Sequence, residues 1–450
     1  MSQNREQWGS KLGFILAATG SAVGIGNIWK YPSIAGQNGG GAFTLVYLVC
    51  IFIVGLSIVV AEFVIGRKTQ LSPVGAFEKL APNSNWKWVG FLGVASAFVI
   101  LSFYGVVGGW ILKYIIDSIS GGFSNLSGNP EVAGAVFDSF VTSSFSPILY
   151  QVLFMGFCIF VIVQGVKGGI EKWSKIMMPL IVVLLAVLAV RGMTLAGGMK
   201  GISFLFNPRF EDLTASAIVL ALGHSFFTVS LGMGTMITYG SYLSDKENLT
   251  SSTVYVVMFD TMIALLVGMV IFPAVFAMGL EPTEGPSLVF SVLPTVFTSM
   301  PMGQVVSVIF FTLLAIAAIT SGISLLEVVV AYFIDQRGWE RKKTVMIVGF
   351  GIFMFGVPSG LSFGVMSDFK LMNMTFFDHV DNVASNYLLP LGGMLTAIFV
   401  GWIWGTKNAS EEIKKEENVF GFPWVQCWEF LIRYITPVAV GIVFLAKVLP

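Results

Sequence analysis

The chain has 450 residues, of which 55% are hydrophobic and only 11% charged, and its mean hydropathy is +0.83. Soluble domains carry about 25% charged residues, so this composition excludes a water-soluble globule and implies an integral membrane protein. Lys plus Arg balance Asp plus Glu at 25 each, which removes the electrostatic reason to expect nucleic acid, and two His and three Cys leave no metal cluster or disulfide framework.

From the N-terminus, "MSQNREQWGSK" is polar and lacks a small-residue cleavage site before the first apolar run, so a retained first helix is expected rather than a removable signal. A membrane-crossing helix needs about 20 mostly apolar residues. Eleven such runs begin near residues 12, 42, 89, 147, 174, 214, 255, 304, 344, 382 and 431.

The first run contains "GSAVGIGNIWKYP" at 20–32. Gly20, Ala22 and Gly24 there match a small-residue helix-packing pattern, but packing does not account for Asn27. Loops at 119–146 and 281–301 are rich in Gly, Ser, Pro and Phe, and read either as linkers or as covers over an external opening. The fifth run is weakened by Gly169 and Pro179. The sixth, "GHSFFTVSLGMGTMITYGSY", repeats the anomaly of the first, with Ser230, Gly232 and Gly234 interrupting it at mid-depth. His224 in that run reads as a polar packing residue.

Asp260 is a mid-helix carboxylate in the seventh run; intramembrane charge is costly and needs a cation nearby. The eighth run carries the hydroxyl pair Thr320 and Ser321, which either bond their own helix or present paired oxygens to a cation. Beyond it, His379 is expected in an exposed external loop, and "KNASEEIKKEEN" at 407–418 reads as a short charged surface helix. Cys50, Cys158 and Cys427 read as buried apolar residues.

Unwound backbone at mid-membrane frees carbonyl and N–H groups, which is tolerable only where it lines a cavity or binds something. Carbonyls suit a hard cation, while N–H groups and positive half-helix ends suit a carboxylate. Two glycine-interrupted helices, first and sixth, point to a secondary transporter with an inverted repeat. We expect one domain, 1–450, with repeat 1 at about 10–191, repeat 2 at about 213–405 and an extra helix at about 430–449. With the N-terminus inside, 18 of the 25 Lys and Arg fall on the cytoplasmic side and the loops 119–146 and 279–300 contain none. The positive-inside rule then places the C-terminus outside.

Taken together, "REQWGSKLGFILAATGSAVGIGNIWKYP", "NGGGAF", "SFYGVVGGW", "FFTVSLGMG" and "AAITSG" resemble the neurotransmitter:sodium symporter family over nearly the whole chain. Eleven spans rather than twelve resemble its shorter bacterial, hydrophobic amino-acid-carrying members. The resemblance implies an all-α, leucine-transporter-like membrane fold with a 5+5 inverted repeat and broken helices 1 and 6. It also implies Na+ as the coupling ion, at two sites, with no organic cofactor and no enzymatic activity. One Na+ site would use the Ala22 carbonyl, Asn27, Thr228 and the substrate carboxylate, with Asp260 nearby. Many relatives have Asn where Asp260 stands, and a built-in carboxylate implies chloride independence. The second would use carbonyls of Gly20, Val23 and Ala317 with the hydroxyls of Thr320 and Ser321.

For substrate, the resemblance assigns Tyr104 and the N–H groups of Ile25 and Gly26 to a carboxylate, and Ala22, Phe227, Thr228 and Ser230 to an amine. Gly24 stands where amine-carrying relatives have Asp, so the substrate should bring its own carboxylate. Its side chain would face Ile100, Phe227, Met233, Ser321 and Leu325, an apolar pocket that discriminates weakly, with Met233 free to repack. A hydrophobic L-amino acid, aliphatic or aromatic, is therefore expected. Lys30 with Asp381, and Phe227 as a lid, would close the outside; Arg5 and Trp8 with Asp335, near Ser241 and Tyr242, would close the inside. Lys30 stands where Arg is usual, so a single ammonium contact or a water-bridged one is expected there. Alternatives are a symporter of another small amino acid or amine, or an ion channel. Against the channel stands the lack of a filter repeat, and against a membrane enzyme the lack of HExxH, GxSxG or an acid dyad.

Overall fold

The computed structural model describes residues 5–123, 126, 129–245, 247–279, 288–415 and 422–448. Among them the regular structure is helical, and strand-like pairing is confined to the isolated bridges Gly40–Pro208 and Leu371–Met374. Nine of the described helices are long and apolar enough to cross a bilayer: Gly41–Thr69, Lys87–Ser120, Ser146–Val163, Val166–Met193, Leu249–Ala277, Gly303–Arg337, Arg341–Leu361, Phe376–Ile403 and Trp424–Val448. Lys11–Ala22 and Gly26–Gln37 form a tenth span bent by 54° at its break. The shorter helices Ala215–Thr228 and Thr235–Gly240, separated by 229–234, occupy the remaining apolar run. Numbered in chain order, these are the eleven runs of the sequence, with the breaks in spans one and six.

Local chemistry sets many of the boundaries. Ser10, Thr214 and Asn248 cap spans one, six and seven by accepting the N–H groups of Gly13, Ala217 and Ser251. Left-handed Gly121 and Gly338 end spans three and eight. Spans five, ten and eleven start earlier than their apolar runs, at Val166, Phe376 and Trp424. The helix continues there through polar residues that hydropathy does not register, because backbone hydrogen bonding does not require an apolar side chain.

Span one lies against spans five, seven and eight, and span eight against span three, so the breaks sit inside the bundle. Close approach is enforced by glycine: a Cβ on Gly66 of span two would lie 2.1 Å from the Ile237 carbonyl in the second half of span six.

Three expectations are corrected. The charged segment from 407 forms the helix Thr406–Ile413, but Ala409, Ser410, Glu412 and Ile413 are buried, because Glu412 pairs with the fully buried Arg67 (Nε–Oε1 3.1 Å); residues 416–418 lie outside the described residues. Of the three cysteines, Cys158 is buried, Cys50 partly so and Cys427 exposed. His379 is half-buried, since the Phe376–Asn382 helix packs Phe377 and Val380 inward. The described parts of the two loops are not plain linkers. Pro130–Val141 packs its Phe137 flat on Phe290, at 5.1 Å, and Phe290 also meets Trp29 and Trp110. Residues 124–125, 127–128 and 280–287 lie outside the described residues.

Candidate functional site

In span one the last regular bond runs from the Val23 N–H to the Thr19 carbonyl (2.7 Å), after which Val23 turns extended. Asn27 bridges the gap. Its Oδ1 accepts the Gly24 N–H (3.2 Å), and its Nδ2 donates to Thr228 Oγ1 and Asp260 Oδ1, both at 2.7 Å. The Thr228 hydroxyl in turn lies 3.1 Å from Asp260 Oδ2. Span six breaks where Ser230, Gly232 and Gly234 adopt positive φ of 55°, 77° and 76°. Glycine is required at 232, since a Cβ there would lie 2.4 Å from the Leu389 carbonyl. Ser230 Oγ donates to the Ser21 carbonyl (2.8 Å), which ties the two breaks together.

Asn27, Thr228 and Asp260, drawn from three different spans, thus form one buried oxygen-rich cluster, with Ala22 at the adjoining break. The hydroxyl pair of span eight divides its roles. Thr320 bonds its own helix through the Ile316 and Ala317 carbonyls (3.1 and 3.0 Å), whereas Ser321 crosses to the carbonyls of Gly20 (3.5 Å), Ser21 (3.3 Å) and Val23 (3.2 Å). Gly20 backs directly onto Thr320, where a Cβ would lie 3.2 Å from the Thr320 Cβ. Gly20, Val23, Ala317, Thr320 and Ser321 therefore meet at one point between spans one and eight.

Between the breaks lies a cavity of about 220 Å³. Every residue expected to contact substrate lines it: Ala22, Gly24, Ile25, Gly26, Ile100, Tyr104, Phe227, Thr228, Ser230, Met233, Ser321 and Leu325. Tyr104, from span three, accepts the Ile25 N–H (3.2 Å). The lining continues through Trp29, Phe103, Val107 and Phe377 to Lys30, Asp378, Asp381 and Ser385.

The expected gates fare differently. On the N-terminal face Arg5 pairs with Asp335, donates to Ser241 Oγ (2.6 Å) and lies over the Tyr242 ring at 4.7 Å. Burial opposes the Arg5 charge, but Tyr242 and Asp335 outweigh it and hold its pKa above the ordinary guanidinium value. Trp8 donates from its indole to the Tyr239 carbonyl (3.0 Å) and from its backbone to the Tyr242 carbonyl (3.2 Å). This end is sealed. At the other end no direct Lys30–Asp381 ion pair is present among the described residues. Lys30 Nζ instead sits 4.1 Å over the Phe227 ring, and Asp381 accepts from Ser385 Oγ (2.8 Å). A compact ammonium lacks the forked reach of a guanidinium and is held by the π face.

Sequence reasoning missed several buried carboxylates. Glu62 accepts the Gly232 N–H (2.9 Å), bracing the span-six break from span two. Glu327 takes Arg341 (2.6 Å) and the Tyr242 hydroxyl (2.6 Å). Glu171 accepts the Gly9 N–H (2.6 Å) and the Ser10 hydroxyl (2.9 Å). Glu62 in "VVAEFVIG" and Glu327 in "LLEVVV" carried the signal that singled out Asp260, a charge inside an apolar run. His224 packs against the mutually touching rings of Tyr31 and Tyr47 at 5.9 and 5.3 Å.

Comparison with known proteins gives the family. The sequence model of the Sodium:neurotransmitter symporter family matches residues 5–129 and 141–450. An uncharacterized sodium-dependent transporter of Bacillus subtilis (strain 168), YhdH, is 42% identical over 443 residues, covering 98% of each chain. A sodium- and chloride-dependent GABA transporter of Drosophila melanogaster is 24% identical, over 92% of this chain and 48% of its own. Among solved structures, MhsT in complex with L-phenylalanine superposes with a TM-score of 0.89 at 48% identity, covering 99% of this chain and all of that one. Buried oxygen clusters at two broken spans, in a chain matched from end to end, place this protein in the sodium:neurotransmitter symporter family, as a sodium-dependent membrane transporter.

Proposed function

We propose that the protein couples inward sodium flow to the uptake of hydrophobic L-amino acids, aliphatic and aromatic, by alternating access around the cavity between its two broken spans. The observation that carries this reading is the composition of that cavity. The Gly26 N–H and the Tyr104 hydroxyl, which here holds the Ile25 N–H, stand at one part of it for a carboxylate, and Ile100, Met233 and Leu325 supply an uncharged remainder. Gly24 favours a substrate that brings its own carboxylate, since a Cβ there would lie 2.8 Å from Ser321 Oγ and 3.2 Å from the Tyr104 hydroxyl. The superposition on MhsT with L-phenylalanine is in keeping with an amino acid.

In this reading the Ala22 carbonyl, Asn27 and Thr228, with Asp260, hold one Na+, completed by the substrate carboxylate. Gly20, Val23, Ala317, Thr320 and Ser321 hold a second. Asp260 supplies the negative charge for which relatives use chloride, so transport is chloride-independent. Arg5, Trp8, Asp335, Ser241 and Tyr242 form the cytoplasmic gate. Phe227 with Lys30 forms the external lid, which closes as Lys30 reaches Asp381. Repeat 1 (about 10–191) rocks against repeat 2 (about 213–405). The charge distribution puts the N-terminus in the cytoplasm and the C-terminus outside a plasma membrane.

The test is uptake of labelled leucine and tryptophan into proteoliposomes under an inward Na+ gradient, repeated with K+ replacing Na+ and gluconate replacing chloride. Saturable uptake lost without Na+ and kept without chloride is expected. Uptake indifferent to Na+, or none of either amino acid, would overturn the reading.

A further inference from the structure

We infer that Ser21 and Ser324 make the side-chain part of the cavity an acceptor-only hydrogen-bonding surface, which selects hydrophobic amino acids whose side chain ends in an N–H or O–H donor. The inference rests on the amino-acid reading above and concerns which members of that class bind best.

A serine hydroxyl has one proton to donate and two lone pairs. Ser324 Oγ donates to the Ser321 carbonyl (2.8 Å), so the bond between Ser21 Oγ and Ser324 Oγ (2.8 Å) uses the proton of Ser21. Ser230 gives its proton to the Ser21 carbonyl (2.8 Å), and Ser321 reaches the same carbonyl (3.3 Å), which lies outside the proposed sodium shells and holds its proton when sodium takes Val23. Every serine lining the cavity below Lys30 therefore has its proton engaged within the protein, while lone pairs remain on Ser21 and Ser324. Neither of these two belongs to the proposed sodium shells. Ile100, Met233 and Leu325, which share this lining, bring no donor.

The consequence follows from the asymmetry of buried polar groups. An indole N–H or phenol O–H gives the remaining lone pairs a partner. A purely apolar side chain forgoes that bond, and a side chain tipped only with acceptors finds no serine proton to receive. One such bond is worth about a three- to tenfold change in affinity.

The experiment measures competition against labelled leucine uptake in Na+-driven proteoliposomes by L-tryptophan and by L-3-benzothienylalanine, in which sulfur replaces the indole N–H with nearly the same shape. Tryptophan is expected to compete about three- to tenfold more tightly in the wild type, with that ratio falling to about one in Ser324→Ala and Ser21→Ala. Equal inhibition constants in the wild type would overturn the inference whatever the variants do, as would a wild-type ratio that persists in both variants. If neither leucine nor tryptophan is transported with sodium, the amino-acid reading fails, and the inference with it.

Discussion

Asn27 uses both ends of its amide on different spans: Oδ1 holds the Gly24 N–H at the break, and Nδ2 reaches Thr228 and Asp260. If the same cluster holds sodium and receives the substrate carboxylate, the two ligands stabilise each other by a coupling of about 1–3 kcal/mol. Asn27→Ala should then weaken sodium and substrate together, each by about tenfold or more. Kinetics in which substrate affinity alone changes would rule out a shared site. Asp260→Asn should make uptake respond to chloride, a change read by exchanging chloride for gluconate. Residues of this kind are legible in sequence because a polar group in an apolar run is expensive and conspicuous. Their partners are harder to read: nothing in the order of residues shows that Lys30 rests on Phe227 while Asp381 turns to Ser385.

Among the elements, span five is tied to the N-terminal segment by reciprocal caps. Glu6 accepts the Val166 N–H at the start of span five (2.5 Å), and Glu171 of span five accepts the Gly9 N–H and the Ser10 hydroxyl at the start of span one. Gly169 lies between them, pressed so closely that a Cβ would fall 2.1 Å from the Val161 carbonyl, and Pro179 follows within the helix. In the proposed alternating access, opening the Arg5–Trp8 end would strain these caps between the N-terminal segment and span five. Glu171→Ala removes hydrogen bonds to a charged group, each worth about 1.5–3 kcal/mol. Amide exchange over 9–13 and 166–179 should accelerate about tenfold or more, measured by hydrogen–deuterium exchange with sodium present. Unchanged exchange at 166–179 would show that the Glu171 clasp does not hold this helix. Glycine and proline in "VKGGIEKWSKIMMP" announced a weak helix. The carboxylate clasp depends on side chains about 160 residues apart, and no local pattern encodes that.

Across the whole molecule, Arg67 at the end of span two fastens the Thr406–Ile413 helix by way of Glu412, which also meets Lys415 at 2.8 Å and Lys68 at 3.5 Å. Burial alone would raise the Glu412 pKa, but Lys415, Arg67 and Lys68 outweigh it and hold this carboxyl below the ordinary glutamate value. A depressed folded-state pKa contributes stability that is fully present above the unfolded value, about 4.3, and is lost as pH falls through the folded one. Glu412→Gln takes one carboxylate from Arg67, which keeps the carbonyls of residues 247 and 412 and the charge of Asp245, and should cost about 2 kcal/mol near neutrality, the worth of a hydrogen bond between charged groups. In thermal unfolding of detergent-solubilised protein, the gap between wild type and variant should be widest above about pH 5 and narrow progressively below pH 4. A gap that does not change across that range would remove Glu412 as its source.

By itself the sequence determined the membrane class, the order of the spans and the two breaks, because hydropathy and helix-breaking chemistry are local properties of the chain; the residues expected around the breaks came from its resemblance to the symporter family. Chain order and hydropathy alone do not say which polar groups meet; the tertiary structure does. It brought Asn27, Thr228 and Asp260 together from spans one, six and seven, divided Thr320 from Ser321, sealed Arg5 to Asp335 while leaving Lys30 on Phe227, and buried Glu412 in what read as a surface helix. The physical reason is that hydrogen bonds and ion pairs are satisfied by whatever lies within about 3 Å, and in a packed bundle those neighbours come from spans far apart in the chain.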